Sequence, residues 1–416
     1  MELIMSFFTF YNMTKIFFIT ITCLIITAID SRGQGQTGNN NIFTVDVNKN
    51  YSNRKELILQ DFMDVEYIAL ETNDEFVNQG LVMDIGEKII LVKNIINDGD
   101  IFVYDRNGKA LRKINRKGQK TSEEYTDIRT ITLDEANGEL FVNDVNQRKI
   151  FVYDLYGNFK RCFNHQEGFG SYNINNIDIR QDAFYSEILN YDKNNLLCYD
   201  EINDRRTCIL ISKQDGSITK EIIIPFKDRK SLWQYRLDGE IIYSNHATPR
   251  PYRITPYNGN WILLELSTDT VYELLPNYNL LPFIIRTPSI QSMNPEVMLV
   301  LRLVSERYIF METIKNIYDF DRKEGFPKSY LMYDKQNKAL SGYIVHNSDF
   351  SIKKEIYMVG FKPVKNQKMA AWYPLQADQL VDSYEKGELK EGKLKDIASK
   401  LDEEDNPVIM LVKHKR

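Results

Sequence analysis

The sequence predicts an all-β protein, a six-bladed β-propeller, and three observations support this prediction. A phrase recurs 49 positions apart, because residues 101–115 read IFVYDRNGKALRKIN and residues 150–164 read IFVYDLYGNFKRCFN. Each copy has the pattern of two strands joined by a turn. Further strand pairs lie between the copies, which gives four strands per period. Repeats of 40–50 residues with four strands each are typical of propeller blades.

The repeated unit is a β-hairpin. IFVYD alternates its side chains between two faces and is rich in aromatic and β-branched residues, which favour strands. Asn107-Gly108 then supplies the left-handed backbone of a tight turn, and Gly157 has this place in the second copy. The residues after each turn return as the partner strand.

Weaker copies of this hairpin follow along the chain, and other strand pairs precede them. We predict outer hairpins at 208–224, 270–285 and 329–345, and inner strand pairs at 81–93 and 128–144. A sixth outer hairpin would be assembled from both termini. The length of the chain without the leader and the C-terminal tail, divided by the period, allows about seven blades, and one long insertion reduces this number toward six. Six blades are therefore predicted, with seven as the alternative.

That insertion is predicted to be helical, at about 290–306. Asn294-Pro295 has the pattern of a helix start, and the chain is expected to become a strand again at 307–312. Insertions in repeat folds lie on one face, which is often the binding face.

Both ends of the propeller domain carry segments outside the repeat. The strand-like residues 42–50 are predicted to complete the last blade and close the ring. A helical tail at about 375–405 contains two amphipathic segments, 377–387 and 393–405, and a final strand at about 406–415 offers a second way of closing the ring. The helices are interpreted as a strap on the rim, with partner docking as the alternative.

Residues 1–33 are predicted to be a signal peptide. An apolar run follows Lys15, and Met13 competes with Met1 as the true start. The alternative is a membrane anchor, but the run is shorter than a spanning helix requires. Residues 34–416 then form a single β-propeller domain. The protein is expected to be exported to the periplasm or cell surface, and to be membrane-bound only if Cys23 is lipidated, although the residues around Cys23 match a lipobox poorly.

Composition indicates a globular protein with an ample core. Hydrophobic residues make up 43% of the chain and aromatic residues 12%, and the net charge of −5 is spread along it. The absence of a basic block argues against a nucleic-acid partner, and a monomer is expected. The three cysteines after the leader are odd in number and give no disulfide framework. Cys198 and Cys208 are either a pair or, as we prefer, buried small hydrophobes.

Two segments of the sequence resemble a known family. VEYIALET at 65–72 is similar to a strand of the six-bladed β-propeller proteins abundant in Bacteroidetes, a family of unknown function. The segment 116–144 resembles that family's glycine-rich loop and inner strand pair, keeping Gly118, Glu124 and Tyr125 but replacing the central Gly-Pro-Gly by Lys120-Thr121-Ser122. The resemblance implies an exported envelope protein, often a lipoprotein, and a broader likeness to NHL-repeat propellers that bind partners.

No catalytic motif is recognisable in the chain. The four histidines have no metal-ligand spacing, so that no cofactor is predicted, and calcium or zinc is kept as a hypothesis. They are His165, His246, His346 and His414. Aspartates recur after tyrosine at the hairpin turns, where a carboxylate accepts hydrogen bonds from the turn backbone. They are Asp105, Asp154, Asp200 and Asp334.

The segment 244–261 is the strongest candidate for ligand contact. It is rich in proline and irregular, and loops on a rigid scaffold carry function more often than the scaffold does. It also concentrates residue types common in binding hot spots. The predicted ligand-binding residues are His246, Arg250, Tyr252, Arg253 and Tyr257, joined by Trp233 from just upstream. The alternative is an ordinary loop whose aromatic side chains pack on the edge of a blade.

These observations favour a binding or scaffold module of the cell envelope, with a glycan, a peptide or another envelope protein as its partner. A metal-dependent propeller lyase or lactone hydrolase is the alternative. A sensor or structural subunit without a small ligand is the third hypothesis. We expect a protein that is not an enzyme.

Overall fold

In the computed structural model, the recurring phrase forms the outer strand pair of two successive blades of a propeller. The structure describes residues 42–118, 120–166, 169–174, 177–182, 184–201, 203, 207–364 and 369–415. The leader, both candidate start residues and Cys23 lie outside these residues. Within them, no helix is both long and apolar enough to cross a membrane.

The first described strands lie along the outside of the ring. Strand β1 (Phe43–Asp46) pairs in parallel with the outer strand of blade 4, and β2 (Arg54–Ile58) pairs in parallel with the outer strand of blade 5. A short helix α1 (Leu59–Phe62) then leads into β3 (Met63–Ala69). These segments border three consecutive blades.

Blades 1 to 3 follow in chain order, each as a four-stranded antiparallel meander. Blade 1 consists of β4 (Leu81–Ile85), β5 (Ile89–Lys93), β6 (Asp100–Asp105) and β7 (Ala110–Asn115). Blade 2 consists of β8 (Thr130–Asp134), β9 (Glu139–Asp144), β10 (Lys149–Asp154) and β11 (Phe159–Asn164). After the hairpin β12 (Phe169–Ile174) and β13 (Ile177–Asp182), blade 3 consists of β14 (Tyr185–Asn190), β15 (Asn195–Asp200), β16 (Cys208–Ser212) and β17 (Ile218–Ile222).

Blades 4 and 5 each contain four strands of their own and one of the N-terminal strands. After the hairpin β18 (Trp233–Asp238) and β19 (Ile241–His246), blade 4 consists of β20 (Ile254–Tyr257), β21 (Asn260–Leu263), β22 (Thr270–Leu274) and β23 (Leu280–Thr287). Blade 5 consists of β24 (Val297–Val304), β25 (Tyr308–Lys315), β28 (Lys328–Asp334) and β29 (Ala339–His346), with the short hairpin β26 (Tyr318–Asp319) and β27 (Glu324–Gly325) inserted.

Blade 6 is built from both ends of the chain. Its strands are β30 (Lys362–Pro363), β31 (Met369–Leu375) and β32 (Val408–His414), and β3 completes it on the outside. Met63 lies opposite His414 and Ala69 opposite Val408. The prediction of six blades, with the last assembled from both termini, is confirmed, and the alternative of seven is wrong.

The core of the described chain is divided among the six interfaces between neighbouring blades. In β5, Ile90 and Val92 face blade 6 while Ile89 and Leu91 face blade 2. A strand directs successive side chains to opposite faces, so a central blade strand must be apolar on both of them. This explains why the inner strands are continuous apolar runs, whereas the outer strand β7 alternates between buried and exposed side chains.

The recurring turn glycine serves contacts between blades as well as the turn. Gly108 has φ +86°, and a Cβ atom there would lie 1.9 Å from the carbonyl oxygen of Ala69 in the preceding blade. At Gly157, with φ +85°, a Cβ would lie 2.6 Å from Ile114. Any larger residue at these turns would therefore displace the neighbouring blade.

Two sequence-based expectations for the fold are wrong. The segment at about 290–306 is not a helical insertion, because Val297–Val304 forms the inner strand of blade 5 and only Ile290–Ser292 forms a single 3₁₀ turn. This strand is apolar on both faces because both neighbouring blades cover it, and such a run does not show strand periodicity. Residues 42–50 do not close the ring either, since Phe43 and Val45 pack between blades 4 and 5.

The helical tail lies between β31 and β32. Helix α2 (Ala377–Glu385) and helix α3 (Lys393–Ala398) are both shorter than the predicted segments. Leu380 and Leu394 are buried in the core between blades 5 and 6, which agrees with a strap on the rim. Cys198 and Cys208 are buried and unbonded, as preferred from the sequence.

The segment 116–125 holds its shape without the family's central Gly-Pro-Gly. The Tyr125 hydroxyl donates to the carbonyl of Gly99 (2.7 Å) and accepts from the backbone N–H of Arg116 (2.9 Å). The N–H of Gly118 reaches the carbonyl of Tyr125 (3.0 Å). The retained residues of the resemblance are therefore the ones that fix this loop.

Candidate functional site

A cavity of about 310 Å³ opens where the inner strands of five blades begin. Blades 1 to 4 and blade 6 each contribute residues at or next to the start of their inner strand. The hairpin β18–β19, inserted between blades 3 and 4, forms a further wall with the proline-rich segment that follows it. The cavity therefore lies at the mouth of the central channel, on the face that carries this insertion.

Aromatic side chains from the hairpin form one wall. Trp233 and His246 are opposite each other across the two strands, with ring centroids 4.5 Å apart. The Arg250 guanidinium lies 4.9 Å from the centre of the Trp233 ring, at a distance suited to a cation–π contact. Because β18 and β19 pair residue by residue, the hairpin fixes the position of this wall.

The proline-rich segment is held in place by side chains from two other blades. Arg302 of blade 5 donates from Nη2 to the carbonyl oxygen of Pro249 (3.0 Å) and from Nη1 to that of Arg250 (3.2 Å). Glu187 of blade 3 accepts the backbone N–H groups of Arg253 (2.7 Å) and Ile254 (3.0 Å). The segment is irregular, yet its backbone is anchored at both ends.

Arg253 is the most deeply buried cation of the lining, at 6% exposure. It faces Glu201 with a nitrogen–oxygen distance of 3.8 Å and lies 5.4 Å from the centre of the Tyr199 ring. Its Nη1 atom has no hydrogen-bond partner within the described chain. A buried donor without a partner costs free energy, so this atom offers a binding point to a ligand.

Two further cations of the lining have no carboxylate partner in the part of the chain that the structure describes. Lys362 lies 4.6 Å from the centre of the Trp372 ring, and burial lowers its pKa to about 8. Arg129 lies 5.7 Å from the ring of Phe184. The cavity therefore contains positive charge that the described residues do not balance.

His246 is held in its neutral form at pH 7. Burial lowers its pKa, and the charges of Arg250 and Arg129 lower it further, while Glu201 acts in the opposite direction. A neutral imidazole keeps one donor and one acceptor nitrogen for a ligand.

The pKa of Glu187 is shifted upward, in contrast to that of His246, because burial raises it to about 7. The N–H groups of Arg253 and Ile254 and the charge of Arg253 favour the carboxylate, but Glu201 adds to the rise. The group thus changes its charge near neutral pH, inside the cavity wall.

We expect this rise to appear in the pH dependence of stability. A carboxyl group whose pKa is raised in the folded state stabilises the fold most below its unfolded pKa, near 4.5, and this contribution is lost as pH rises through about 7. The wild type should therefore lose about 2–3 kcal/mol from this group between pH 4.5 and pH 8.

The measurement is the free energy of unfolding in urea at pH 5 and pH 8, for the wild type and Glu187→Gln. Gln can accept only one of the two backbone N–H groups, so the two proteins will differ in absolute stability. The deciding quantity is the change in the free energy of unfolding between pH 5 and pH 8. The other titratable groups are common to both proteins, so their contributions cancel in the comparison. If the free energy of unfolding changes with pH by the same amount in the wild type and in Glu187→Gln, the raised pKa of Glu187 is contradicted.

Five of the six residues predicted from the sequence line this cavity. They are Trp233, His246, Arg250, Tyr252 and Arg253. The sixth, Tyr257, lies at the far end of β20, where it packs against Phe283 (centroids 5.5 Å apart) and accepts a hydrogen bond from Lys335 (3.0 Å). Tyr257 does not line this cavity because side chains alternate along a strand, and Ile254 and Pro256 are the residues of β20 that face it.

Other lining residues were missed because they are distant in sequence. They are Arg129, Glu187, Glu201, Lys362 and Trp372. Only closure of the ring brings them together, and no spacing in the chain indicates it. Once the blades are assigned, most of these residues can be found, because they lie near the first residues of the inner strands.

No group of three or more His, Cys, Asp or Glu side chains is placed to hold a metal ion in the described residues. At the turns, Asp105, Asp154 and Asp334 accept backbone N–H groups two to four residues further along, as predicted. Asp200 instead accepts the N–H of Phe184 (3.0 Å).

Comparisons with known proteins agree with this architecture. A family model described as a domain of unknown function, DUF4934, matches residues 42–413. A Bacteroides fragilis protein provisionally described as exported has a similar structure, with a TM-score of 0.55 at 15% identity over 90% of this chain and 100% of that one. No curated protein matches the chain by sequence.

Two other solved structures are more distant. A member of the duf4221 family from Bacteroides vulgatus has a TM-score of 0.44 at 9% identity, over 85% of this chain and 99% of that one. A virginiamycin B lyase from Staphylococcus aureus has a TM-score of 0.31 at 12% identity, over 68% and 94%. At these identities the similarity concerns the fold alone.

Proposed function

Because the chain belongs to the DUF4934 family, whose function is unknown, we propose a function from its own cavity. The protein is a binding module of the cell envelope that holds a small ligand, or a small part of a glycan or peptide, at the mouth of the propeller channel. The observation that supports this most strongly is the convergence of residues from five blades and an inserted hairpin on one cavity. Small-ligand sites are concave, largely preformed and mostly apolar with a few placed polar groups.

The scaffold suits this role. Inner strands packed on both faces hold the first residues of each blade rigidly, and the segment between β19 and β20 is anchored by Arg302 and Glu187. A preorganised site spends little free energy on ordering its side chains when a ligand binds. Export to the periplasm or surface of a Bacteroidetes cell, action as a monomer and kinship with NHL-type binding propellers complete the proposal.

Trp233 is expected to carry much of the ligand binding. Replacing it by Ala removes the aromatic wall and the contact with Arg250, and hot-spot aromatic residues contribute about 2 kcal/mol or more. Affinity for any ligand of the cavity should therefore fall about 30-fold or more.

The experiment is a thermal-shift and calorimetric screen of the chain from residue 34, with mono- to trisaccharides and short peptides. Tyr243→Ala is the matched control, since Tyr243 lies on the same hairpin, is exposed, and does not line the cavity. Ligands that bind Trp233→Ala as tightly as wild type would place the binding site elsewhere and contradict the proposal.

A further inference from the structure

We propose that the ligand of this cavity is a sugar acid, a pyranose ring that bears a carboxylate. The inference rests on the proposed function and adds the chemical class of the ligand. Its basis is the mixture of side chains that one small cavity brings together: four cations, two carboxylates and an accessible indole ring.

Positive charge exceeds negative charge in the lining. The cations are Arg129, Arg250, Arg253 and Lys362, and the carboxylates are Glu187 and Glu201. Arg253 faces Glu201, whereas Lys362 and Arg129 have no carboxylate partner within the described chain. Bringing an anion into such a site satisfies charges that are already desolvated, so it is favoured over a neutral ligand.

Two buried polar atoms in the lining have no partner within the described residues. They are Nη1 of Arg253 and Oγ1 of Thr130. Arginine N–H groups and hydroxyl groups are both donors that carboxylate oxygens accept from. Because nearly all buried polar groups in folded proteins are paired, these atoms indicate where ligand oxygens belong.

The remaining side chains fit a sugar ring. Glu187 and Glu201 accept hydrogen bonds, and the hydroxyl groups of a pyranose are donors. Trp233 supplies aromatic surface of the kind that packs against the C–H faces of sugars. A volume of about 310 Å³ is at the lower end of the range for small-ligand sites, which suits one or two rings rather than a polymer.

The test uses matched pairs of small sugars that differ only in charge. Methyl glucuronide and methyl galacturonide are titrated calorimetrically into the chain from residue 34, together with their neutral methyl esters. We expect at least one acid to bind, its ester to bind about 10-fold more weakly or not at all, and the affinity for the acid to fall between 50 and 500 mM NaCl. The variant Lys362→Met should bind the acid with about 10-fold lower affinity than the wild type.

The control for that variant is Lys390→Met, which makes the same change of charge at an exposed residue outside the cavity. It should leave the affinity unchanged. Equal binding of acid and ester would overturn the sugar-acid inference while leaving the binding function in place. If an acidic dipeptide binds and neither sugar acid does, the inference that the ligand is a sugar is wrong. If neither sugar acids nor any member of the saccharide and peptide screen binds, the proposed function fails as well.

A second measurement tests the charge of the cavity without any sugar. Iodide and caesium quench exposed tryptophan, and Trp233 is the accessible one, because Trp261 and Trp372 are 5% and 3% exposed. Iodide should quench more strongly than caesium, and Lys362→Met should reduce this difference. Equal quenching by the two ions would contradict an anion site.

Discussion

Replacing Glu312 by Leu is expected to lower the free energy of unfolding by about 3–5 kcal/mol. Glu312 and Arg302 form an ion pair on the two inner strands of blade 5, and both are almost completely buried, at 0% and 5% exposure. Arg302 donates to the carboxylate from Nε (3.0 Å) and also from Nη2. Removing the carboxylate leaves a buried guanidinium without its counter-charge, and such a loss is far more costly than the loss of an exposed pair.

The measurement is urea unfolding of Glu312→Leu beside Asp382→Ala. Asp382 of α2 pairs with Lys386, which follows the helix, and both side chains are more than half exposed, so that this control should change stability by less than about 1 kcal/mol. The double variant Arg302→Leu with Glu312→Leu should recover part of the stability. It should still lose ligand affinity, because the carbonyl groups of Pro249 and Arg250 no longer have their donors. Equal stability of Glu312→Leu and wild type would contradict the expected role of the pair.

Replacing Asn406 by Ala is also expected to lower the free energy of unfolding substantially. It is 1% exposed, and its side chain fixes the connection between blades 6 and 1. Its Oδ1 accepts the N–H of Asn78 (2.7 Å), and its Nδ2 donates to the carbonyls of Phe76 (2.7 Å) and Glu71 (2.9 Å). Asn406→Ala leaves these buried groups without partners, which should cost about 3 kcal/mol.

Glu404→Ala is the appropriate control for Asn406→Ala. Glu404 is exposed two residues earlier, and surface substitutions of this kind change stability by about 0.5 kcal/mol or less. Thermal and urea unfolding of the three proteins measure the difference. A loss below about 1 kcal/mol in Asn406→Ala would show that water takes the place of the amide, and would contradict the expected cost.

The fold could be predicted because the repeat encodes local geometry. Each copy of the hairpin contains its own strand alternation and its own turn glycine, so Gly108 and Gly157 indicate the same structure 49 residues apart. Val297–Val304 could not be recognised in this way. Both neighbouring blades cover it, its apolar run has no alternation, and the proline before it suggested a helix.

The candidate site could be predicted only where it lies in one segment of the chain. Trp233 and His246 are joined by a hairpin, and Arg250 and Arg253 follow within a few residues. Lys362 and Glu187 have nothing in their local sequence that distinguishes them from other charged residues. Their significance arises from the ring, which places the first residues of separate blades around a common axis.

The assembly of blade 6 has a consequence for how the protein matures. Met63 pairs with His414, so the contact that completes the ring joins residues far apart in the chain, and β3 is synthesised long before β32. Until β32 emerges, β3 and β31 lack the strand that lies between them, and each exposes an edge open to pairing with another chain. A nascent or partly translocated chain is thus most prone to aggregation just before β32 emerges, and a chaperone that shields strand edges would have its greatest effect at that moment.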